Sequence, residues 1–196
     1  MTRLPVLKPE TLNAEQKQVY DTIAGDKRRQ ATRRFAMTND DGTLTGPFNT
    51  LLYAPGVGDA VQRLGGALRF ESSLPGHLRE LAILMVAARW RANYEWYAHA
   101  PIAAREELDE SVIAAIKDGE LPEDAPDDVL TVCQFVSELV HTRRVTEATY
   151  VKTREMIDER GLVELIAVVG YYSLIAGLLN TFEIGVPKGK ELPFGE

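Results

Sequence analysis

The chain has 196 residues, of which 45% are hydrophobic and 26% are charged, a composition typical of one globular domain. Its formal net charge of -7 leaves no overall positive field for phosphate backbones, so we expect no nucleic-acid partner. Residues 1–15 lack the apolar stretch of a signal peptide, and we expect a cytoplasmic protein without a membrane partner.

An N-terminal arm and helix are predicted over residues 1–45. Asn13 followed by Gln16 forms a capping-box pattern that opens the first helix. Residues 27–34 (KRRQATRR) are a basic run, typical of a solvated helix face. Its alternatives are an arm that contacts another subunit or an anionic ligand, and a nucleic-acid contact. Residues 39–42 (NDDG) are predicted to form a turn or loop.

Helical periodicity recurs along the rest of the chain, and β-branched residues never collect into alternating runs, so we assign an all-α fold. The predicted helices cover residues 48–53, 58–70, 75–91, from 93, from 109, 126–141, 146–160 and 165–179. An acidic, proline-bearing linker at 119–128 separates a core over 46–118 from C-terminal helices over 126–185. We interpret residues 1–196 as a single all-helical domain.

The stretch at 165–179 (LIAVVGYYSLIAGLL) is uncharged, but it is shorter than the roughly 20 residues that a membrane-spanning helix needs. A helix that is apolar on every side is predicted to lie in the core or beneath another subunit. Gly170 and Gly177 would let a neighbouring element approach closely. We therefore expect an obligate homo-oligomer.

The single cysteine, Cys133, lies in an apolar pattern of helical period and cannot form an internal disulfide. Free cysteine is among the most buried residue types, so we interpret Cys133 as a core residue. A C-x-x-C redox pair is absent from the sequence. Thiol chemistry is therefore excluded as the function.

The densest set of reactive side chains lies between residues 79 and 99. On a helix, Glu95 and His99 share a face, where the carboxylate orients the imidazole and favours its charged form. Such a pair suits proton transfer near neutral pH, although the spacing alone is more typical of an exposed helix pair than of catalysis or metal ligation. Pro101 leaves two alternatives, a helix that bends there or a new helix that begins there, and the second would separate Glu95 from His99.

Two segments resemble the core motif of the carboxymuconolactone decarboxylase family, which shares its fold with alkylhydroperoxidase D (AhpD). They are residues 79–84 (RELAIL) and 93–100 (NYEWYAHA). The peroxidase branch of this family has the pattern E-x11-C-x-x-C-x3-H. Here Glu80 and His99 take the glutamate and histidine positions, while Ala92 and Glu95 take the cysteine positions, so peroxidase function is excluded. The decarboxylase branch has a glutamate four residues before its histidine, as Glu95 and His99 are arranged.

The resemblance is strong over residues 46–116 and looser through the C-terminal helices. In those helices the chain is similar to a longer, cysteine-free branch of the family. It implies an AhpD-like helical bundle that assembles into trimers or hexamers, with sites near subunit contacts. The activity that it implies is that of a lyase in aromatic compound catabolism.

From the residues and the resemblance together, we expect a cofactor-free acid/base enzyme acting on a small carboxylated lactone or related carbonyl compound. Its reaction would be a decarboxylation, an isomerisation or another lyase reaction. The catalytic candidates are His99, Glu95 and Glu80, with a structural salt bridge to Arg79 or Arg89 as the alternative for Glu80. The substrate-binding candidates are Arg79, Arg91, Trp96, Tyr97, Tyr171 and Tyr172, although each aromatic side chain alone is more typical of a core or interface. The alternative function is a non-catalytic small-molecule-binding or structural oligomer of the same fold.

No metal is expected, because the histidines at 77, 99 and 141 are not spaced as ligands. A site built from Glu80, Glu95 and His99 is the alternative. The glycines at 56, 58, 65 and 66 lack the strand context of a phosphate-binding loop, so no nucleotide cofactor is expected either.

Overall fold

A computed structural model describes residues 2–25 and 37–195, so the basic run at 27–34 lies outside the described residues. Within the described ranges the regular structure is helical, apart from one isolated antiparallel bridge between Thr38 and Leu44. This confirms the predicted all-α fold.

Helices follow one another along the described chain. They are α1 (Ala14–Ala24), α2 (Phe48–Leu51), α3 (Pro55–Phe70), α4 (Gly76–Trp90), α5 (Asn93–Arg105), α6 (Glu110–Asp118), α7 (Asp127–Ser137) and α8 (Glu147–Thr181). A 3-10 turn at Pro9–Thr11 precedes α1, and a π-helical turn at Glu138–Thr142 follows α7 directly.

The chain divides into two compact units. The first combines the described residues of Met1–Glu71 with Leu178–Gly185, and the second combines Ser72–Gly177 with the described residues of Val186–Glu196. All the residues predicted to form the site belong to the second unit.

In the first unit, helix starts follow local sequence signals. The Asn13 side chain accepts a hydrogen bond from the Gln16 backbone, and the Gln16 side chain accepts one from the Asn13 backbone, which confirms the predicted capping box. Helix α3 begins at Pro55, three residues before the predicted start at residue 58. Proline suits the first helical position because its missing N–H would have no partner there.

In the second unit, α4 is the central helix. Every residue from Glu80 to Ala87 is buried, and α4 packs against α5, α6 and α7. Helices therefore surround α4 on several sides. The carboxyl group of Glu80 is therefore carried into the interior by the most deeply buried helix of this unit.

Helix α8 joins two predicted helices into one span that is interrupted at Asp158 (φ 58°, ψ -178°). The Asp158 side chain accepts a hydrogen bond of 2.9 Å from the Gly161 backbone N–H, as an N-cap does for the segment that follows. By length and composition α8 is apolar enough to cross a membrane, with a mean hydropathy of 2.0 over its best window. Half of that window is buried inside the protein, and the core helix of a soluble protein passes the same test.

Cys133 lies on α7 with 1% of its surface exposed, which confirms its assignment to the core. Burial raises the pKa of its thiol to about 12.

Because the thiolate is the nucleophile, we expect iodoacetamide to leave the folded protein unmodified at about pH 8 and to alkylate Cys133 after unfolding in urea. Mass spectrometry of the intact protein measures the difference. Rapid alkylation of the folded protein would contradict this prediction.

Candidate functional site

A buried hydrogen bond joins the two helices of the α4–α5 hairpin. The Nδ1 atom of His99 on α5 lies 2.7 Å from Oε2 of Glu80 on α4, and the two residues are 7% and 2% exposed. When Glu80 is ionised its oxygens can only accept, so Nδ1 then carries the hydrogen and donates it. The other ring nitrogen, Nε2, makes no hydrogen bond to a described residue and is the atom left for chemistry.

Glu95 is a buried carboxyl group without a partner. It lies on α5 one helical turn before His99, it is 2% exposed, and neither of its oxygens has a hydrogen-bond partner among the described residues. Burial raises the pKa of Glu95 well above its ordinary value. The group therefore keeps its proton to a higher pH than an exposed glutamic acid does, which suits a general acid.

The structure corrects the predicted pairing inside this site. The sequence pattern assigned Glu95 as the hydrogen-bonding partner of His99, whereas the observed partner is Glu80, which comes from a different helix. Helix α5 runs from Asn93 to Arg105 with Pro101 inside it, so Glu95 and His99 do lie on one continuous helix. Sharing a helix face did not make them a hydrogen-bonded pair, and metal or catalytic roles for both stay predictions.

Arg79 and Tyr172 contact the Glu80–His99 pair, and Tyr171 packs against Tyr172. The Nε atom of Arg79 is buried 3.7 Å from Oε1 of Glu80, an ion-pair distance without a hydrogen bond. The ring of Tyr172 meets the His99 ring edge to face at 5.0 Å, and Tyr171 meets Tyr172 in the same way at 5.1 Å. Tyr172 thus fixes the imidazole from a third helix, α8.

Two residues predicted to bind substrate, Arg91 and Trp96, contact the C-terminal segment of the chain. The Arg91 guanidinium donates to the Phe194 carbonyl and lies over the Phe194 ring, which packs against Trp96 at 5.2 Å. Asn93 accepts from the Phe194 backbone N–H at 2.8 Å and donates to the Gly195 carbonyl at 3.0 Å. Arg91 and Trp96 are therefore occupied within the chain. Tyr97, the remaining candidate, is half-buried on α5 and contacts Tyr94.

A cavity of about 550 Å³ lies in the second unit, lined by residues of α4, the π-helical turn and α8. None of Glu80, Glu95 and His99 is among its lining residues. The sequence periodicity of α4 and α8 does not predict this cavity, because the cavity depends on how the turn at Glu138–Thr142 is placed.

Within residues 2–25 and 37–195, no group of three or more His, Cys, Asp or Glu side chains is arranged to hold a metal ion.

Comparison with known proteins gives structural relatives but no sequence relatives. No family model matches the sequence, and no curated protein matches it. A crystal structure described as the alkylhydroperoxidase AhpD core, an uncharacterized peroxidase-related protein from Ralstonia eutropha JMP134, has a TM-score of 0.74 at 19% identity, covering 98% of this chain and 94% of that chain. An uncharacterized peroxidase-related protein from Silicibacter sp. TM1040 has a TM-score of 0.69 at 12% identity, covering 96% of this chain and 92% of that chain.

The chain therefore has the AhpD-like all-helical fold over nearly its whole length. At these identities the likeness establishes the fold and not the reaction. Within that fold, this protein carries a buried glutamate–histidine pair, while alanine and glutamate stand at the positions predicted for the redox cysteines.

Proposed function

We propose that this protein is a cytoplasmic, cofactor-free acid/base enzyme that acts on a small carboxylated lactone or a related carbonyl compound. The observation that carries the proposal is the buried Glu95 carboxyl, unpartnered one helical turn before the buried Glu80–His99 pair. A buried polar group without a partner costs roughly 1–3 kcal/mol of stability. Groups that lower stability in this way are concentrated at functional sites. A bound substrate would supply the missing hydrogen bonds.

In its decarboxylase form, the proposed reaction breaks the bond between the substrate's carboxylate carbon and the neighbouring carbon. Carbon dioxide leaves, and the bonding electron pair stays on the substrate as an enolate. The protonated carboxyl of Glu95 then donates its proton to that carbon. His99 transfers a replacement proton to Glu95 through Nε2, while Glu80 accepts the hydrogen bond from Nδ1 and fixes the orientation of the ring. Arg79, whose Nε has no hydrogen bond, supplies positive charge for the substrate carboxylate.

A screen of small lactones and keto acids, followed by substrate consumption and carbon dioxide release, tests the proposal. Turnover by the wild-type protein is expected to fall by about 10²-fold or more in His99→Ala and Glu95→Gln, which is the usual contribution of general acid–base groups. His77→Ala is the matched control, because His77 pairs with Asp128 at 2.8 Å outside the proposed site. Full activity of both site variants on the identified substrate would show that the assignment is wrong.

The alternative is a non-catalytic oligomer that binds a small molecule, with Glu80 and His99 as a structural pair. A bell-shaped pH–rate profile that changes in His99→Ala favours the enzyme. Tight binding of a screened compound without any turnover favours the binder.

We also propose that the protein self-associates through one face of α8. Val163, Ile166 and Leu174 are 68%, 48% and 44% exposed along this helix, and a Cβ atom added at Gly170 or Gly177 would meet no atom within 4 Å. A second copy of the chain would cover these apolar side chains and approach closely at the glycines. Trimers or hexamers are the assemblies that the family resemblance implies.

Gly170→Leu tests this association. Within a single chain the new side chain has open space, so folding is expected to survive, and helix propensity favours leucine over glycine by roughly 0.5–1 kcal/mol. The assembly is expected to dissociate, because leucine prevents close approach of the second copy. Analytical ultracentrifugation measures the mass, with Gly56→Leu as the control at another open glycine. A wild-type monomer, or an unchanged Gly170→Leu oligomer, would rule this interface out.

A further inference from the structure

The cavity beside α4 has the chemistry of a ligand site. Its walls are mainly aliphatic side chains with the indole of Trp90, which is 44% exposed. The polar side-chain groups among its described lining residues are the Arg89 guanidinium, the Trp90 indole N–H and the Ser173 hydroxyl. The Ser173 hydroxyl already donates to the Val169 carbonyl at 2.7 Å, so it offers only acceptor capacity to a ligand. Recognition of a charged group therefore falls to Arg89.

Arg89 is a cation without a counter-charge among the described residues. It is exposed at the C-terminal end of α4, and it forms no ion pair or hydrogen bond with a described residue. The chain as a whole carries a net charge of -7, so acidic side chains that could pair with an arginine are abundant elsewhere in the protein. Guanidinium groups form charge-assisted, bidentate hydrogen bonds with carboxylates. A cavity lined mainly by aliphatic side chains, with one such group at its wall, matches a ligand with an apolar body and a single negative charge.

The rim of the cavity is already formed in the free protein. Leu139 and Val140 belong to the π-helical turn, a rare conformation that is found frequently at functional sites. The carboxylate of Glu138 holds the turn, accepting from Thr146 N at 2.7 Å and Thr149 Oγ1 at 2.8 Å. These hydrogen bonds fix the two apolar residues without help from a ligand, so little ordering cost remains for binding.

We propose that this cavity is a separate binding site for an organic monoanion, such as an alkyl or aromatic carboxylate. The apolar body lies against Trp90, Leu139 and Val140, and the carboxylate binds the Arg89 guanidinium. The cavity volume of about 550 Å³ lies in the usual range for small-molecule sites, roughly 300–1,000 Å³. The site does not depend on the proposed acid/base reaction, because no member of the Glu80, Glu95 and His99 set lines it.

Octanoate and its neutral counterpart octanamide test the site in the full-length protein. Isothermal titration is expected to show octanoate binding at least tenfold more tightly than octanamide. Arg89→Gln is expected to remove that difference, because a hydrogen bond to a charged group contributes about tenfold or more in affinity. Arg105→Gln, which changes another exposed arginine of the second unit, is the control and is expected to bind as wild type does.

Acrylamide quenching of tryptophan fluorescence locates the binding. Octanoate is expected to protect Trp90 from quenching, and the protection is expected to disappear in Trp90→Phe, since Trp96 is 5% exposed and packed against Phe194. His99→Ala is expected to keep octanoate binding, which separates this site from the proposed reaction. The proposal would be overturned if the wild-type protein bound octanoate and octanamide with equal affinity. It would also be overturned if Arg89→Gln and Arg105→Gln lost octanoate affinity equally. Trp90 shielded from acrylamide in the free oligomer would show that a second copy fills the cavity.

Discussion

Replacing Glu95 by methionine is expected to stabilise the folded protein by about 1–3 kcal/mol while abolishing turnover. Both carboxyl oxygens of Glu95 are buried without partners, so the wild-type protein bears their desolvation cost in full. Methionine has a similar length and no group to desolvate, and the site keeps its volume. Thermal unfolding measures the gain, which corresponds to a rise in Tm of about 2–12 °C for a chain of this size. A destabilised Glu95→Met protein would contradict the description of Glu95 as an unpartnered group.

The pH dependence of stability gives a second measure of Glu95. Above about pH 4.3 an unfolded glutamate is ionised, whereas the raised pKa of the buried Glu95 keeps its proton bound in the folded state. The unfolded state then binds fewer protons, so stability falls as pH rises, by about 1.4 kcal/mol per unit, until the raised pKa is passed. The variants Glu95→Met and Glu95→Gln lack this slope. Their stability relative to wild type is therefore expected to grow with pH across that window in urea titrations.

Glu164 is the matched control for a carboxyl group that has partners. Burial raises its pKa, but hydrogen bonds from Ser73, Arg160 and Ser72 outweigh burial and hold the pKa of Glu164 at about 2. The effect of pH on stability therefore has the opposite sign for Glu164. Its lowered pKa contributes stability above about pH 4.3, and this contribution is lost as pH falls toward 2. Glu164→Met is therefore expected to destabilise the protein at neutral pH. If Glu95→Met and Glu164→Met changed the stability in the same direction at neutral pH, hydrogen bonding of the carboxyl group would not decide the effect of its removal.

Replacing Glu80 by alanine is expected to destabilise the protein by about 3–5 kcal/mol, the usual cost of removing one partner of a buried ionic pair. The change leaves the His99 Nδ1 atom and the Arg79 guanidinium in the interior without the carboxylate. Glu80→Gln is expected to cost only about 1–2 kcal/mol, because its amide oxygen still accepts from Nδ1. Urea unfolding distinguishes the two variants. Both are expected to lose turnover, since neither keeps a carboxylate beside Nδ1 of His99.

Glu120→Ala provides the baseline for that comparison. Glu120 is exposed after α6, so its replacement is expected to change the free energy of unfolding by less than about 0.5 kcal/mol. Proton NMR of the imidazole in Glu80→Gln checks that the Nδ1 hydrogen is still held. Equal stability of the alanine and glutamine variants would mean that the hydrogen bond between Glu80 and His99 does not support the fold.

Much of the secondary structure could be predicted because its causes are local. The capping box at Asn13 and Gln16 and the N-cap at Asp109 satisfy backbone N–H groups within a few residues, so sequence spacing identifies them. Helix α8 was harder, because its interruption at Asp158 involves neither proline nor glycine at the residue with positive φ. The nearest signal was Gly161, where an added Cβ would lie 2.8 Å from Cβ of Ile157.

The sequence by itself determined the all-α class, the buried state of Cys133 and the presence of Glu80, Glu95 and His99 within one helical hairpin. It could not determine which of these side chains form a hydrogen bond. Helical periodicity identifies only neighbours on the same helix, and it therefore predicted Glu95 as the partner of His99. Only the packing of α4 against α5 brought Glu80 to the imidazole and left Glu95 buried alone. Contacts between helices depend on their relative rotation, which is set by the whole core and not by any local run of residues.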